Sequence, residues 1–172
     1  MQIIHDFKTT IKKYSENRKQ NDYPVLTECP HCHDRMVKNG FYKRYVITSC
    51  GTYIIYIRRY RCKYKDCGLS ISILPSFLLP RFQRSLNSIF NSIKEYVFNR
   101  KFLLYRRAVF FYLQRFRFNI PGIISFFRDT INIKIPFKKR KTIKLIEMIR
   151  SYPTPTFSRR FHNHFNTCFM AL

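Results

Sequence analysis

The chain has 172 residues, 33 Lys and Arg against 9 Asp and Glu, and a formal charge of +24. A compact chain with that imbalance repels itself unless a polyanion relieves it, so nucleic acid or an anionic membrane surface is the expected partner. A hydrophobic fraction of 45%, with 18 Phe and 12 Tyr, excludes wholesale disorder, and the length suits one domain or two small ones.

Residues 1–28 carry five basic and four acidic side chains, residues 29–70 nine and two, and residues 71–172 nineteen and three, so the start is nearly neutral and the remainder supplies the field. The opening residues contain no apolar run of signal-peptide length, because His5, Asp6, Lys8, Lys12 and Lys13 interrupt it. Ile3, Ile4, Phe7 and Ile11 fall at helical spacing, which predicts a short amphipathic helix, and the polar stretch Ser15 to Asp22 reads as linker. The leader is therefore taken as residues 1–27.

From Cys29 the pattern changes to turns and alternation. Asn39-Gly40 is the dipeptide preferred in a two-residue hairpin turn, and Cys50-Gly51 offers a second reversal. Phe41 to Thr48 and Thr52 to Arg61 are rich in Tyr, Ile and Val, the composition of strands. A small antiparallel sheet with aromatic and basic side chains on one side follows, over residues 28–80.

After Pro80 the period becomes helical. Leu86, Ile89, Phe90, Ile93 and Val97 lie on one stripe, which predicts a helix ending near Asn99. A second helical pattern sets Val109, Tyr112, Leu113 and Phe116 against Arg106, Arg107 and Arg115, and Pro121-Gly122 breaks it. These segments form a helical region over residues 81–130. In the basic tail, 131–172, the run Lys138-Lys139-Arg140-Lys141 opens a helix to Ile149, and Pro153 and Pro155 end regular structure. The expected fold class is α+β: a small antiparallel sheet, then helices. The greasiest stretch, Phe102 to Phe127, contains Arg106, Arg107, Arg115 and Arg117, which excludes a spanning helix but leaves a surface-bound amphipathic one.

The sharpest signal is Cys29-Pro30-His31-Cys32, followed by Cys62-Lys63-Tyr64-Lys65-Asp66-Cys67-Gly68. Two thiolates on one tight turn reach a tetrahedral zinc at about 2.3 Å, and a hairpin brings a second turn to supply the other two. Cys29, Cys32, Cys62 and Cys67 are thus the expected ligands of one structural Zn2+, since a closed four-thiolate site leaves no position for water. His31 and His33 are the alternative ligands beside the first pair, and a redox Cys-x-x-Cys is the rival reading of Cys29 and Cys32, although the βαβ context of such motifs is missing.

Cys29-Pro-His-Cys32, Lys38-Asn-Gly40, a Tyr- and Arg-rich strand, Arg59-Tyr-Arg-Cys62 and Asp66-Cys67-Gly68 resemble the zinc ribbon at the front of bacterial insertion-sequence transposases and of transposase-associated proteins. The continuation Leu74-Pro-Ser-Phe-Leu-Leu-Pro-Arg81 is similar to the segment that follows such ribbons in proteins of the DUF6431 type. The resemblance implies that the four cysteines hold zinc, and that the module binds DNA or positions a transposase on it.

Cut-and-paste transposases resemble one another in holding two metal ions with three carboxylates. After residue 70 the chain offers only Glu95, Asp129 and Glu147, too few strands accompany them for a nuclease domain, and the chain reads as a protein without its own catalysis. An active transposase or nuclease using those three acids with magnesium is the alternative. His162, His164 and Cys168 form a weaker candidate metal set. Tyr105 to Phe116 resembles the second helix of a helix-turn-helix unit, which puts Arg106, Arg107, Phe110 and Gln114 toward DNA. Lys43, Arg44, Arg58, Arg59, Arg61 and the run Lys138, Lys139, Arg140 and Lys141 are the other expected nucleic-acid contacts, with Tyr42, Tyr53 or Tyr56 available to stack on bases. The expectation is a cytoplasmic, nucleoid-associated DNA-binding protein; an RNA- or ribosome-associated ribbon is a further alternative.

Overall fold

The computed structural model describes residues 1–131, 141–151, 154–165 and 167–170. The chain divides into two units, Met1–Gln83 and Arg84–Leu172. Unit 1 contains β1 (Gln2–His5), α1 (Ile11–Glu16), β2 (Met36–Thr48), β3 (Gly51–Cys62) and β4 (Ser70–Pro75); the described elements of unit 2 are α2 (Leu86–Asn99), α3 (Arg106–Phe118), α4 (Ile120–Ile131), α5 (Lys141–Ser151) and α6 (Thr154–Phe165). The fold class is α+β, as the sequence indicates.

The sheet runs β1-β4-β3-β2. β2 and β3 form a long antiparallel hairpin whose tip, between Thr48 and Gly51, is Ser49-Cys50, so the reversal falls at the second of the two turn signals. Asn39-Gly40 does another job. Lys38 pairs with Tyr60 and Phe41 with Arg58, so β2 carries one extra residue there, and Gly40 takes up the bulge at φ +66°. A glycine tolerates that left-handed backbone inside a strand as readily as in a turn.

The leader departs most from expectation. Ile3 and Ile4, expected on a helix, lie in β1, which pairs in parallel with β4 through Ile3–Ile73 and Ile4–Leu74. The sheet is therefore mixed rather than purely antiparallel. Short apolar spacing fits a helix or a strand, and here a partner seventy residues away decides it. The helix begins only at Ile11, behind Thr10, whose hydroxyl accepts from the Lys13 N–H at 3.2 Å.

α1 completes the sheet. β3 is paired with β2 along its length but with β4 only over Arg59–Arg61, which leaves an edge at Ile54 to Tyr56 without a strand partner. The Tyr14 and Tyr23 hydroxyls donate to the Tyr56 carbonyl at 3.0 and 2.8 Å, and Ser15 Oγ donates to the Ile54 carbonyl at 2.7 Å. Side-chain hydroxyls thus replace the missing strand, a way of blunting an edge. The expected linker after α1 is instead a locked turn: buried Asn21 donates through Nδ2 to the carbonyls of Tyr14 and Arg18 at 3.0 and 2.9 Å.

Both sheet faces are covered in part. Ile55, Ile57, Val46 and Leu74 pack with Tyr14, Phe77 and Leu78 on one side. Tyr60, Cys62, Ile71 and Ile73 alternate to the other, where they meet Met36 and Cys29.

The described part of unit 2 is helical. α2 spans Leu86–Asn99, in agreement with the periodicity, and its N-cap Ser85 accepts from the Ser88 N–H at 3.3 Å. Its core is aromatic: Phe126 stands 5.3 Å from Phe157, Phe157 is 5.0 Å from Phe169, and Phe90 is 5.6 Å from Phe169, ring centre to ring centre. Offset and edge-on pairs of this kind add about 0.5–1.5 kcal/mol each beyond the area they bury. α3 ends at Phe118, shortly before Pro121, as the sequence predicts, whereas Pro155 does not end regular structure and Pro153 lies outside the described residues. Pro121 and Pro155 each sit in the first turn of a helix, α4 and α6, because a residue there has no intrahelical acceptor for the N–H that proline lacks. Among the described residues no helix is long and apolar enough to cross a membrane.

Candidate metal centre

Two turns of matching construction carry the four cysteines. In the first, the Cys29 N–H donates to the Asp34 carbonyl at 2.7 Å and the His33 N–H to the Cys29 carbonyl at 2.9 Å. In the second, the Cys62 N–H donates to the Leu69 carbonyl at 2.8 Å and the Gly68 N–H to the Tyr64 carbonyl at 3.1 Å. The residue after the second cysteine is left-handed in both, His33 at φ +61° and Gly68 at φ +54°. The two additional residues of the second loop move the acceptor of the Gly68 N–H from the first cysteine of the turn to Tyr64. Main-chain bonds from Met36 to Thr27 (2.8 Å) and from Lys63 to Arg35 (3.0 Å) tie the turns to the root of the hairpin.

The sulfur atoms of Cys29, Cys32, Cys62 and Cys67 all lie within 4.8 Å of one another. Cys29 Sγ is 3.8 Å from Cys67 Sγ, and Cys32 Sγ is 3.3 Å from Cys62 Sγ. Four sulfurs at about 2.3 Å from a tetrahedral zinc stand about 3.8 Å apart, so the set fits one zinc or another soft, thiolate-binding metal ion. No pair is bridged as a disulfide. Cys29 and Cys62 are buried, Cys32 and Cys67 half-buried.

The thiols do not share one acidity. Burial pushes Cys62 up to about 12, helped by the hydrogen bond with Cys32. Burial acts on Cys29 in the same direction, but the backbone N–H groups of Cys32 and His31 outweigh it and bring that thiol down to about 7. Four thiolates without a cation at their centre repel one another, and a divalent cation removes that obstacle.

The flanking histidines take outer places. His33 Nδ1 is 2.6 Å from the Glu28 carboxylate, and His31 Nδ1 is 3.7 Å from Cys67 Sγ. The first turn leads into a strand, not into the helix that a redox Cys-x-x-Cys opens. Among the described residues the four cysteines are the only group of His, Cys, Asp or Glu with ligand atoms close enough for a metal ion. Glu95, Asp129 and Glu147 therefore do not gather there, and neither do His162, His164 and Cys168. Glu95 accepts from Asn99 at 2.8 Å, while Asp129 accepts from Ser125 at 3.1 Å and faces His164 at 3.5 Å.

The expected nucleic-acid contacts are dispersed. By hairpin register, Arg44, Arg59 and Arg61 belong to one sheet face, Lys43 and Arg58 to the other. Arg44 is turned inward, where its guanidinium donates to the Leu79 carbonyl at 3.0 Å and to that of Phe82. Arg58 is half-buried 4.3 Å over the Phe41 ring, and Arg59 is exposed 5.8 Å over Tyr42. Lys43 and Arg61 are exposed. Arg106, Arg107 and Gln114 are exposed on α3, opposite buried Val109, Leu113 and Phe116. Residues 100–105 join α2 to α3, a longer connection than the roughly three or four residues of a helix-turn-helix turn, so the likeness rests on the faces of α3 alone. Lys138, Lys139 and Arg140 lie outside the described residues; Lys141 opens α5.

Of the expected stacking residues, Tyr42 packs against the core, and Tyr53 and Tyr56 are half-buried. Within the hairpin strands the exposed ring is Tyr45, which sequence reasoning missed. Register counted from the Ser49-Cys50 tip places it directly opposite Ile54.

The fold and site define an α+β protein whose four clustered cysteines, at the root of a β-hairpin, can hold a metal ion. Residues 29–101 match the family model of DUF6431, a domain of unknown function, the family whose motifs the Cys29 to Arg81 segment resembles. No curated protein and no solved structure matches the chain.

Proposed function

We propose that the chain is a zinc-ribbon DNA-binding protein, related to the modules at the front of transposases and working without a catalytic site of its own. Cys29, Cys32, Cys62 and Cys67 hold the zinc, whose role is to fix the two turns and the hairpin between them. The observation that carries the DNA reading is α3. Its solvent side presents Arg106, Arg107, Gln114 and Arg117, its sequence contains no acid, and its other side is core. Arginine forks on a helix surface suit phosphates and guanine edges. The exposed rings of Phe111 and Phe118 interleave with them, as in surfaces that meet bases as well as backbone. A transposase or other DNA-handling subunit is the expected protein partner.

Elemental analysis and duplex-DNA titration against salt test this together. Wild type is expected to hold one zinc per chain and to bind duplex with a log-log salt slope of about −5, as for six phosphate contacts. R106A/R107A keeps the zinc and makes the slope shallower by about 2. A metal-free wild type refutes the ribbon, and a slope unchanged in the double variant removes α3 from the DNA contact.

A further inference from the structure

We propose that the outer face of the hairpin is a second nucleic-acid surface, a stacking platform for unpaired bases of single-stranded DNA. The proposal rests on the DNA-binding reading above and adds the form of DNA that unit 1 takes.

The platform is built from two consecutive cross-strand pairs, Lys43–Tyr56 and Tyr45–Ile54. Tyr45 is 55% exposed and Ile54 43% exposed, an unusual pair of large side chains to leave in water side by side on a strand. Both belong to the face that carries the Tyr60, Ile71 and Ile73 cluster, but neither is among the residues packed into it. Two depressions adjoin Tyr56, and the second also reaches Ile54. One, of about 350 Å³, is lined by Arg18, Lys19 and Tyr56, and the other, of about 490 Å³, by Arg18, Ile54 and Tyr56. Glu16 lines both, the single acid there against Arg18 and Lys19.

The chemistry of this patch selects its occupant. The backbone carbonyls of Ile54 and Tyr56 already accept from the hydroxyls of Ser15, Tyr14 and Tyr23, so a peptide cannot add as a strand at that edge. What remains available is the side-chain face: π surface, one aliphatic side chain and cations. Lys19 Nζ stands 5.7 Å from the Tyr56 ring centre, so a cation is already held beside the ring and can turn to a phosphate. Stacking surfaces flanked by cations fit an unpaired strand, whose bases expose their π faces every nucleotide, whereas a duplex hides them. A lipid surface would need a broader apolar area than one Tyr and one Ile provide.

The test uses the full zinc-loaded chain and three labelled probes of about fifteen nucleotides: a thymidine oligomer, an abasic oligomer with the same phosphates, and a duplex. Wild type is expected to bind the thymidine strand about tenfold or more tighter than the abasic strand. Y45T and I54T, which keep strand-compatible side chains at exposed positions, are expected to bring the thymidine strand toward the abasic level while duplex affinity, zinc content and melting temperature stay unchanged. Equal binding of thymidine and abasic strands overturns the platform and leaves charge-driven DNA binding intact. Failure of all three probes to bind refutes the DNA reading itself. A concentration-dependent dimer abolished by Y45T also overturns the platform, because it assigns the patch to a second copy of the chain.

Discussion

Three hydroxyls decide how β3 ends its edge, and Tyr14 is the most consequential of them. It is fully buried, stands 4.9 Å from Phe7 and 5.5 Å from Phe77 between ring centres, and donates to the Tyr56 carbonyl. Y14F keeps the ring and removes the bond, at an expected cost of about 1 kcal/mol; Y14A empties the site at a cost of about 3–5 kcal/mol, both measurable by chemical denaturation. Burial, reinforced by Tyr23, holds the Tyr14 phenol well above its ordinary value of 10.0. The unfolded chain gives up that proton near pH 10 while the folded chain keeps it, so stability is complete below about pH 10 and falls as pH rises beyond it. Melting temperatures taken across that interval should drop more steeply for wild type than for Y14F.

At the scale of elements, one backbone position and one cap carry separable energies. Gly40 sits at φ +66° with nothing within 4 Å of where a Cβ would be, so G40A is opposed by backbone strain alone, about 1–2 kcal/mol. Ser85→Ala removes the N-cap of α2 and should cost about 1 kcal/mol, because the Ser88 N–H loses its acceptor inside the helical unit. Urea unfolding of each variant checks both. The same scale explains what local pattern could and could not announce. α2 is legible in the sequence because Leu86, Ile89, Phe90, Ile93 and Val97 repeat at helical spacing through most of its length. β1 has four residues, too few to show a period, and β4 was not anticipated at all: Ser70-Ile-Ser-Ile alternates, but its strand character depends on β1 and β3 lying on either side. Pro155 opens a helix rather than ending regular structure, because proline ends a helix and also begins one, and the residues that follow make the difference.

For the whole molecule, the proposed zinc couples metal content to the folding of unit 1. The two turns bury Cys29 and Cys62 beside Met36, Tyr60, Ile71 and Ile73, so a chelator or C62S is expected to loosen that cluster along with the centre. The check is loss of the strand signal in circular dichroism together with release of one zinc per chain. Metal release is also expected to increase as pH falls, because protons compete for thiolates; a dye that reports free zinc follows it.

The sequence by itself determined the four-cysteine set, the α+β class and the net charge, because cysteine spacing, residue period and charge count are properties of the chain read locally. Only the tertiary structure decided which cations and rings remain available. Arg44 and Tyr42 are taken up inside while Tyr45 and Ile54 are left in water, and that assignment depends on hairpin register, on which face receives the core, and on the carbonyls of Leu79 and Phe82 arriving beside Arg44. Such matches join residues far apart in sequence, and alternation alone cannot tell the covered face of a strand from the open one.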